Sequence, residues 1–306
     1  MKNQSKLNSF LFFQSLRNIV GVLFILNALF SSTAIAAGGI VKALQMPAWL
    51  ERDGNLSALK PGIKLQTDDK ISTGDNARVL LEMDEGSLVK LGENAELNFD
   101  KLVPAEETQG FFEAVLSLAK GAFRFTTTTL GKNRRRDISV NIGSITAGIR
   151  GTDIWGSSKS DEDILCLIEG KITAQRAGEP EFEMHDPLSF YTVPKNKPAL
   201  AVAPVADAQL AIWADKTELQ SAKGVLSIDG KWAVNLMSVT RESGVKPVMT
   251  SLSAAGYAAE IESAIINGQN WYRLRVSGFS SREDASAFAK NIDGINGISR
   301  PWVVKI

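Results

Sequence analysis

Trp232-Ala-Val-Asn-Leu236 and Tyr272-Arg-Leu-Arg-Val276 decide the fold of the last quarter of this 306-residue chain. In the first stretch Val234 and Leu236 alternate with Ala233, Asn235 and Met237. In the second, Leu274 and Val276 alternate with Arg273 and Arg275. A period of two is the mark of a strand with one covered and one open face. The apolar set should face helices. Asn235, Arg273 and Arg275 should lie on the open face.

Two helices are expected to supply the cover. One spans Val248 to Gly256. The other spans Asp284 to Ile292, where Ala285, Phe288, Ala289 and Ile292 form an apolar stripe. Ser280 with Glu283 reads as its capping box. The order from Trp232 to Ile306 is strand, helix, strand, strand, helix, strand.

An open face of this kind suits a carbohydrate polymer. Sugar hydroxyls and N-acetyl groups pair with planar amide and guanidinium groups, which Asn235, Arg273 and Arg275 offer. Aromatic rings cover the apolar side of a pyranose, and Trp271, Tyr272 and Trp302 are candidates. Trp232 shares the Val234 face and reads as core. The register of Pro301 to Ile306 leaves the face of Trp302 open. The glycan-binding candidates are therefore Asn235, Arg273, Arg275, Tyr272 and Trp302.

This βαββαβ segment resembles the SPOR family, whose fold is α+β and ferredoxin/RNP-like. The resemblance implies binding to peptidoglycan glycan strands stripped of their stem peptides, which accumulate where the wall divides. The chain departs from the family pattern at three points. Asn235 replaces the usual glutamine, Met237 the usual glycine, and Ser277-Gly278 the usual Gly-Pro.

The N-terminus points to export. Lys2, Lys6 and Arg17 precede an apolar run, Ile19 to Phe30, and Ala34-Ile35-Ala36 offers a cleavage site. A spanning helix needs about 20 apolar residues, and this run is shorter. Residues 1–36 are read as a signal peptide, which leaves no transmembrane helix in the mature chain. The chain has 34 Lys+Arg and 34 Asp+Glu. The leader holds three of the basic residues, so the remainder is slightly acidic, and nucleic-acid binding is not expected. Cys166 is the only cysteine, set in the apolar run Ile164-Leu-Cys-Leu-Ile168, and reads as a buried inert thiol.

From residue 37 to 176 short alternating runs are punctuated by turn residues, the pattern of an all-β domain of meandering sheets. Ala77 to Met83, Ser87 to Leu91 and Glu96 to Phe99 read as successive strands. Phe111 to Lys120 reads as either a short helix or a strand, interrupted by Gly121. Gly131-Lys-Asn-Arg-Arg-Arg136 reads as a solvated hairpin tip. Residues 177–227 are rich in proline and alanine and read as a linker. A short helix is expected in it over Asp207 to Ala222, with Asp207 as N-cap and Gly224 as stop. Residues 228–306 form the C-terminal domain.

The segment from Ile40 to Ala174 resembles the FecR domain of bacterial envelope proteins. Asp69-Lys-Ile-Ser-Thr-Gly-Asp75, Asp84-Glu-Gly-Ser87, Leu91-Gly-Glu-Asn94, Leu118-Ala-Lys-Gly-Ala-Phe123 and Thr146-Ala-Gly-Ile-Arg-Gly-Thr-Asp153 carry the likeness. It implies a periplasmic β domain that contacts an envelope protein or ligand. Arg150 is read as structural, paired with Asp153 or Glu169.

A catalytic reading finds little support: a wall hydrolase would need a carboxylate pair, and the sequence singles none out. His185 is the only histidine, so no histidine triad or histidine cluster for a metal can form. No cofactor or metal is expected. The expectation is a periplasmic, non-enzymatic wall-binding protein, enriched at the division site. The alternative is a sensor or scaffold in envelope signalling whose C-terminal module binds protein.

Overall fold

Residues 38–104, 111–128 and 135–306 are described by a computed structural model. The leader read in residues 1–36 lies outside these, as do residues 131–134 of the basic loop.

The β region begins with β1 (Gly39–Gln45), β2 (Ala48–Arg52), β3 (Asn55–Ala58), β4 (Lys64–Leu65), β5 (Lys70–Thr73), β6 (Arg78–Met83), β7 (Leu88–Leu91) and β8 (Glu96–Val103). It continues through β9 (Phe111–Thr126), β10 (Arg135–Ile142), β11 (Ile145–Ile149), β12 (Asp153–Ser158), β13 (Glu162–Glu169) and β14 (Ile172–Arg176). Then come β15 (Phe182–Met184), β16 (Ser189–Pro194), β17 (Ala203–Pro204) and helix α1 (Asp207–Asp215).

These strands build two sheets that share β9. In one, β1, β6, β7, the second half of β9, β12, β13, β16 and β17 lie side by side. In the other, the order is β3, β2, β5, β8, the first half of β9, β10, β11, β14 and β15. The inner residues alternate along each strand and interdigitate, with Leu44, Leu81, Phe99, Phe112, Phe123 and Phe125 fully buried. Each such side chain contributes about 1.5–3 kcal/mol through burial.

Phe111 to Thr126 is one 16-residue strand. Its middle carries Gly121 at φ 91°, and a Cβ there would lie 2.4 Å from the Ala95 Cα. Only glycine takes that conformation in that space without strain. The strand bends at this point and passes from one sheet to the other.

The basic triplet differs from the hairpin tip expected of it. Arg136 belongs to β10, and its guanidinium is buried 3.8 Å from the fully buried Glu85. Burial pushes the Arg136 guanidinium down and the Glu85 carboxyl up from their ordinary values. Only Arg135 of the described pair faces water.

The stretch expected as a linker is folded onto the β region. Its prolines end or edge strands rather than keeping the chain free: Pro194 closes β16, and Pro204 sits in β17 beside Ser189. Helix α1 starts one residue after Ala206 and ends at Asp215. It inserts Trp213, which stacks on Trp155 with ring centroids 4.8 Å apart and planes 4° from parallel. Past the helix, Glu218 reaches Lys90 at 2.6 Å and Arg124 at 3.2 Å. The only cysteine lies beneath this helix, fully buried, and burial raises its thiol pKa to about 12.

After β18 (Val225–Ser227) come β19 (Trp232–Val239), helix α2 (Lys246–Ala254), β20 (Glu260–Ile266), β21 (Gln269–Phe279), helix α3 (Arg282–Ile292) and β22 (Trp302–Lys305). The four longer strands form an antiparallel sheet ordered β20, β21, β19, β22. Both helices cover one face. Leu252 of α2 and Ala285, Phe288, Ala289 and Ile292 of α3 join Val234, Leu236, Leu274 and Val276 in one buried cluster.

The cap of α3 sits one residue later than expected. Ser281 is the N-cap, and its Oγ accepts the Asp284 N–H at 3.0 Å. The Ser281 hydroxyl also lies 2.6 Å from Asp284 Oδ2, and the other carboxylate oxygen is committed elsewhere. Oδ1 accepts the backbone N–H groups of Lys223, Gly224 and Val225, each at 3.1 Å. This clamp holds β18, which pairs with β1 on one side and meets β21 through Leu226 and Phe279 on the other. The described residues from Gly38 onward thus belong to one compact unit.

Candidate functional site

The face of the C-terminal sheet away from the helices is set by register. Directly opposed residues on neighbouring strands share a face. Asn235 opposes Arg275 on one side and Trp302 on the other, and Arg275 opposes Glu260. Glu260, Arg275, Asn235 and Trp302 therefore form one row across all four strands. Glu262, Arg273 and Ser238 form the next row, and Trp271 with Ala264 the row beyond it.

The alternation expected along β19 breaks at Met237, which was placed with Asn235 and turns instead to the helices. A bulge between Asn235 and Met237 places Met237 opposite Leu274. Leu236 and Met237 then both pack toward the helices. Ser238 returns to the open face.

The arginines of this face are held by an acidic edge strand. Arg275 Nε donates to Glu260 Oε1 at 3.2 Å, and its Nη1 lies 2.8 Å from Glu262 Oε1. Arg273 Nη1 lies 3.9 Å from Glu262 Oε2. Ser277, in place of the family glycine, donates its hydroxyl to Glu260 at 2.8 Å. These pairs are solvent-accessible and fix orientation more than they add stability.

Asn235 is different. It is only 3% exposed, and its Oδ1 is buried without a hydrogen-bond partner. Leaving a buried amide oxygen unpaired costs about 1–3 kcal/mol. Beside it, Trp302 is 41% exposed. The row thus sets an open indole and a fixed guanidinium beside a buried amide oxygen that lacks a partner.

The structure brings Asn235, Arg275 and Trp302 together and sets Arg273 one row away. Tyr272 does not join them, which corrects the expectation for it. It shares the parity of Leu274 and Val276, opposes Val239, and packs against the core under the helices. The same alternation that placed the arginines outward places this ring inward. Glu260 and Glu262 are the participants that sequence reading missed. Their signal was the alternation of Glu260-Ile-Glu-Ser263, but the arginine partners follow only from strand pairing.

In the β region the acid that binds an arginine at the sheet corner is Asp153. Its partner is Arg124, at 2.7 Å, rather than Arg150. Arg150 is exposed.

Residues 229–305 match the family model described as SPOR domain, and residues 69–173 match that described as FecR protein. No curated protein matches the chain. Two crystal structures of a "putative anti-sigma factor" from Parabacteroides distasonis ATCC 8503 are similar to it, both with a TM-score of 0.39. One, at 12% identity, covers 78% of this chain and 99% of its own; the other, at 13%, covers 78% and 98%.

Proposed function

Taking the chain as a FecR domain followed by a C-terminal SPOR domain, we propose that it is an exported periplasmic protein that binds peptidoglycan glycan without catalysis. The observation that supports this reading is the row in which the exposed Trp302 and the fixed Arg275 flank Asn235, whose buried Oδ1 lacks a partner. An N-acetyl group presents a planar N–H and C=O pair, the complement of a carboxamide. Stacking of a pyranose on Trp302 removes apolar area from water, and the arginine row offers hydrogen bonds to hydroxyls.

The fit of the acidic strand to this reading is physical. Glu260 and Glu262 neutralise the arginines locally, so the face suits hydrogen bonding to hydroxyls more than charge attraction to a polyanion. In this reading, residues 1–36 direct export, the protein gathers where peptide-stripped glycan is exposed, and the β region meets an envelope partner. The FecR match supports a second reading, a sensor or scaffold in envelope signalling.

The deciding experiment is pelleting of the purified protein with sacculi, with and without amidase pretreatment. Binding that rises after amidase and falls in Arg273→Ala/Arg275→Ala supports the first reading. No pelleting in either case sinks it. Capture of a membrane receptor, unaffected by the same substitutions, favours the second.

A further inference from the structure

A groove of about 870 Å³ lies on the outer face of the second β sheet, far in sequence from the C-terminal face. That volume falls within the roughly 300–1,000 Å³ of ligand clefts. Its floor is a row in register across four strands: Ser139, Gly148, Thr173 and Glu183. Gly148 keeps the floor low, since a Cβ there would lie 2.6 Å from Thr173 Oγ1. The next row begins one step past the pairs Ile138–Ile149 and Ile149–Ile172 and brings up Asp137, Arg150 and Lys171. Arg135 and Glu181 add to the charged lining, which the buried Arg136 also borders.

The groove gathers charges of both signs that do not pair with one another. Elsewhere on the sheets some opposite charges on adjacent strands pair closely, as in Lys70–Glu51 and Lys101–Glu113, both at 2.6 Å. Here three cations (Arg135, Arg150, Lys171) and three anions (Asp137, Glu181, Glu183) are all exposed. None has an ion pair or side-chain hydrogen bond among the described residues.

We propose that this groove is a second binding site, and that its ligand is a short peptide bearing both carboxylate and ammonium or guanidinium groups. A polyanion would be repelled by Asp137, Glu181 and Glu183, and a polycation by Arg135, Arg150 and Lys171. A ligand with separated charges of both signs pairs with both sets. The hydroxyls of Ser139 and Thr173 serve its amide groups as donors and acceptors.

The test is amide-resolved NMR titration of the whole protein with four pools of tetrapeptides: zwitterionic, acidic, basic, and neutral with capped ends. The zwitterionic pool is expected to give saturable shifts centred on β10, β11, β14 and β15. Arg150→Ala/Lys171→Ala is expected to weaken that binding about tenfold, the scale of one lost charge-assisted bond, with an unchanged thermal midpoint. Glu181→Gln/Glu183→Gln is expected to admit the acidic pool. Absence of saturable shifts with every pool overturns the proposal. So does equal response to all four, preference for a single-sign pool, shifts confined to the C-terminal sheet, or unaltered affinity in the double alanine variant.

Discussion

Under the proposed glycan binding, Asn235 would separate binding from folding within one side chain. Its Oδ1 is buried without a partner, so replacing it with an apolar side chain of similar size removes an unmet desolvation cost. Asn235→Leu is expected to leave stability unchanged or raised by about 1 kcal/mol in urea unfolding. The same variant is expected to lose most of its sacculus pelleting. A drop in both would make Asn235 a packing residue instead. Asp163 is the opposite case. Fully buried, it accepts Lys195 Nζ at 2.6 and 2.7 Å, the Ser144 N–H and hydroxyl, and the Ser158 hydroxyl. Burial alone would raise its carboxyl, but these bonds together hold it below the ordinary aspartate value. Its folded pKa is therefore below its unfolded one. The stabilisation is whole above about pH 4 and fades as pH falls further, through the folded value. Asp163→Asn is expected to cost about 3 kcal/mol at neutral pH, and its acid-unfolding curve is expected to flatten below pH 4. Equal acid sensitivity in the variant would contradict this. At this scale Asn235 and both arginines were legible from the period of two alone. Glu260 and Glu262 were not, because a residue's cross-strand partner depends on register, which local alternation leaves undetermined.

Elements carry a different kind of information. The strand β9 joins both sheets of the β region, and its bend rests on Gly121. Gly121→Ala adds left-handed strain of about 1–2 kcal/mol and a clash with the Ala95 backbone, so a loss of at least 2 kcal/mol is expected by denaturant melting. A neutral result would show that the bend moves elsewhere. The sequence left Phe111 to Lys120 open between helix and strand, since its pairing partners are distant in the chain. The proline-rich stretch misled for a related reason. Proline and alanine signal a loose segment locally, yet Trp213 anchors this one on Trp155 from across the chain. Trp213→Ala is expected to cost about 3–5 kcal/mol and to make Cys166 reactive toward thiol reagents in the native state. A thiol that stays protected would show that the helix docks without that ring. In α3 the cap moved from Ser280 to Ser281, a shift within the uncertainty of any helix end.

The whole molecule depends on a narrow join. Asp284 ties the amides of residues 223–225 to α3, and β18 carries the pairing between β1 and β21. Trp49 Nε1 donates to the Ala254 carbonyl at 3.0 Å, and the Ala48 N–H to the Gly256 carbonyl at 3.1 Å. The native protein is expected to melt in one transition. Asp284→Ala is expected to split it into two and to speed hydrogen exchange at residues 223–227 by at least tenfold, since three buried amides lose their acceptor. A single unshifted transition would show that the join does not need the carboxylate. The sequence showed two patterned regions and the switch between them. It did not show that they share hydrogen bonds, because a three-residue strand such as β18 has too few residues to display a period.

That join also sets how the protein responds to tension. If the C-terminal sheet grips a taut wall while the β region is held elsewhere, pulling force passes through the bonds of Val225–Ser227, the Asp284 clamp and the bonds of Ala48 and Trp49 to Gly256 and Ala254. Each sheet behind them is stitched by many bonds loaded side by side. The seam is then the mechanical fuse of the molecule. It yields before either sheet unravels, and it lets the chain lengthen while both surfaces keep their shape.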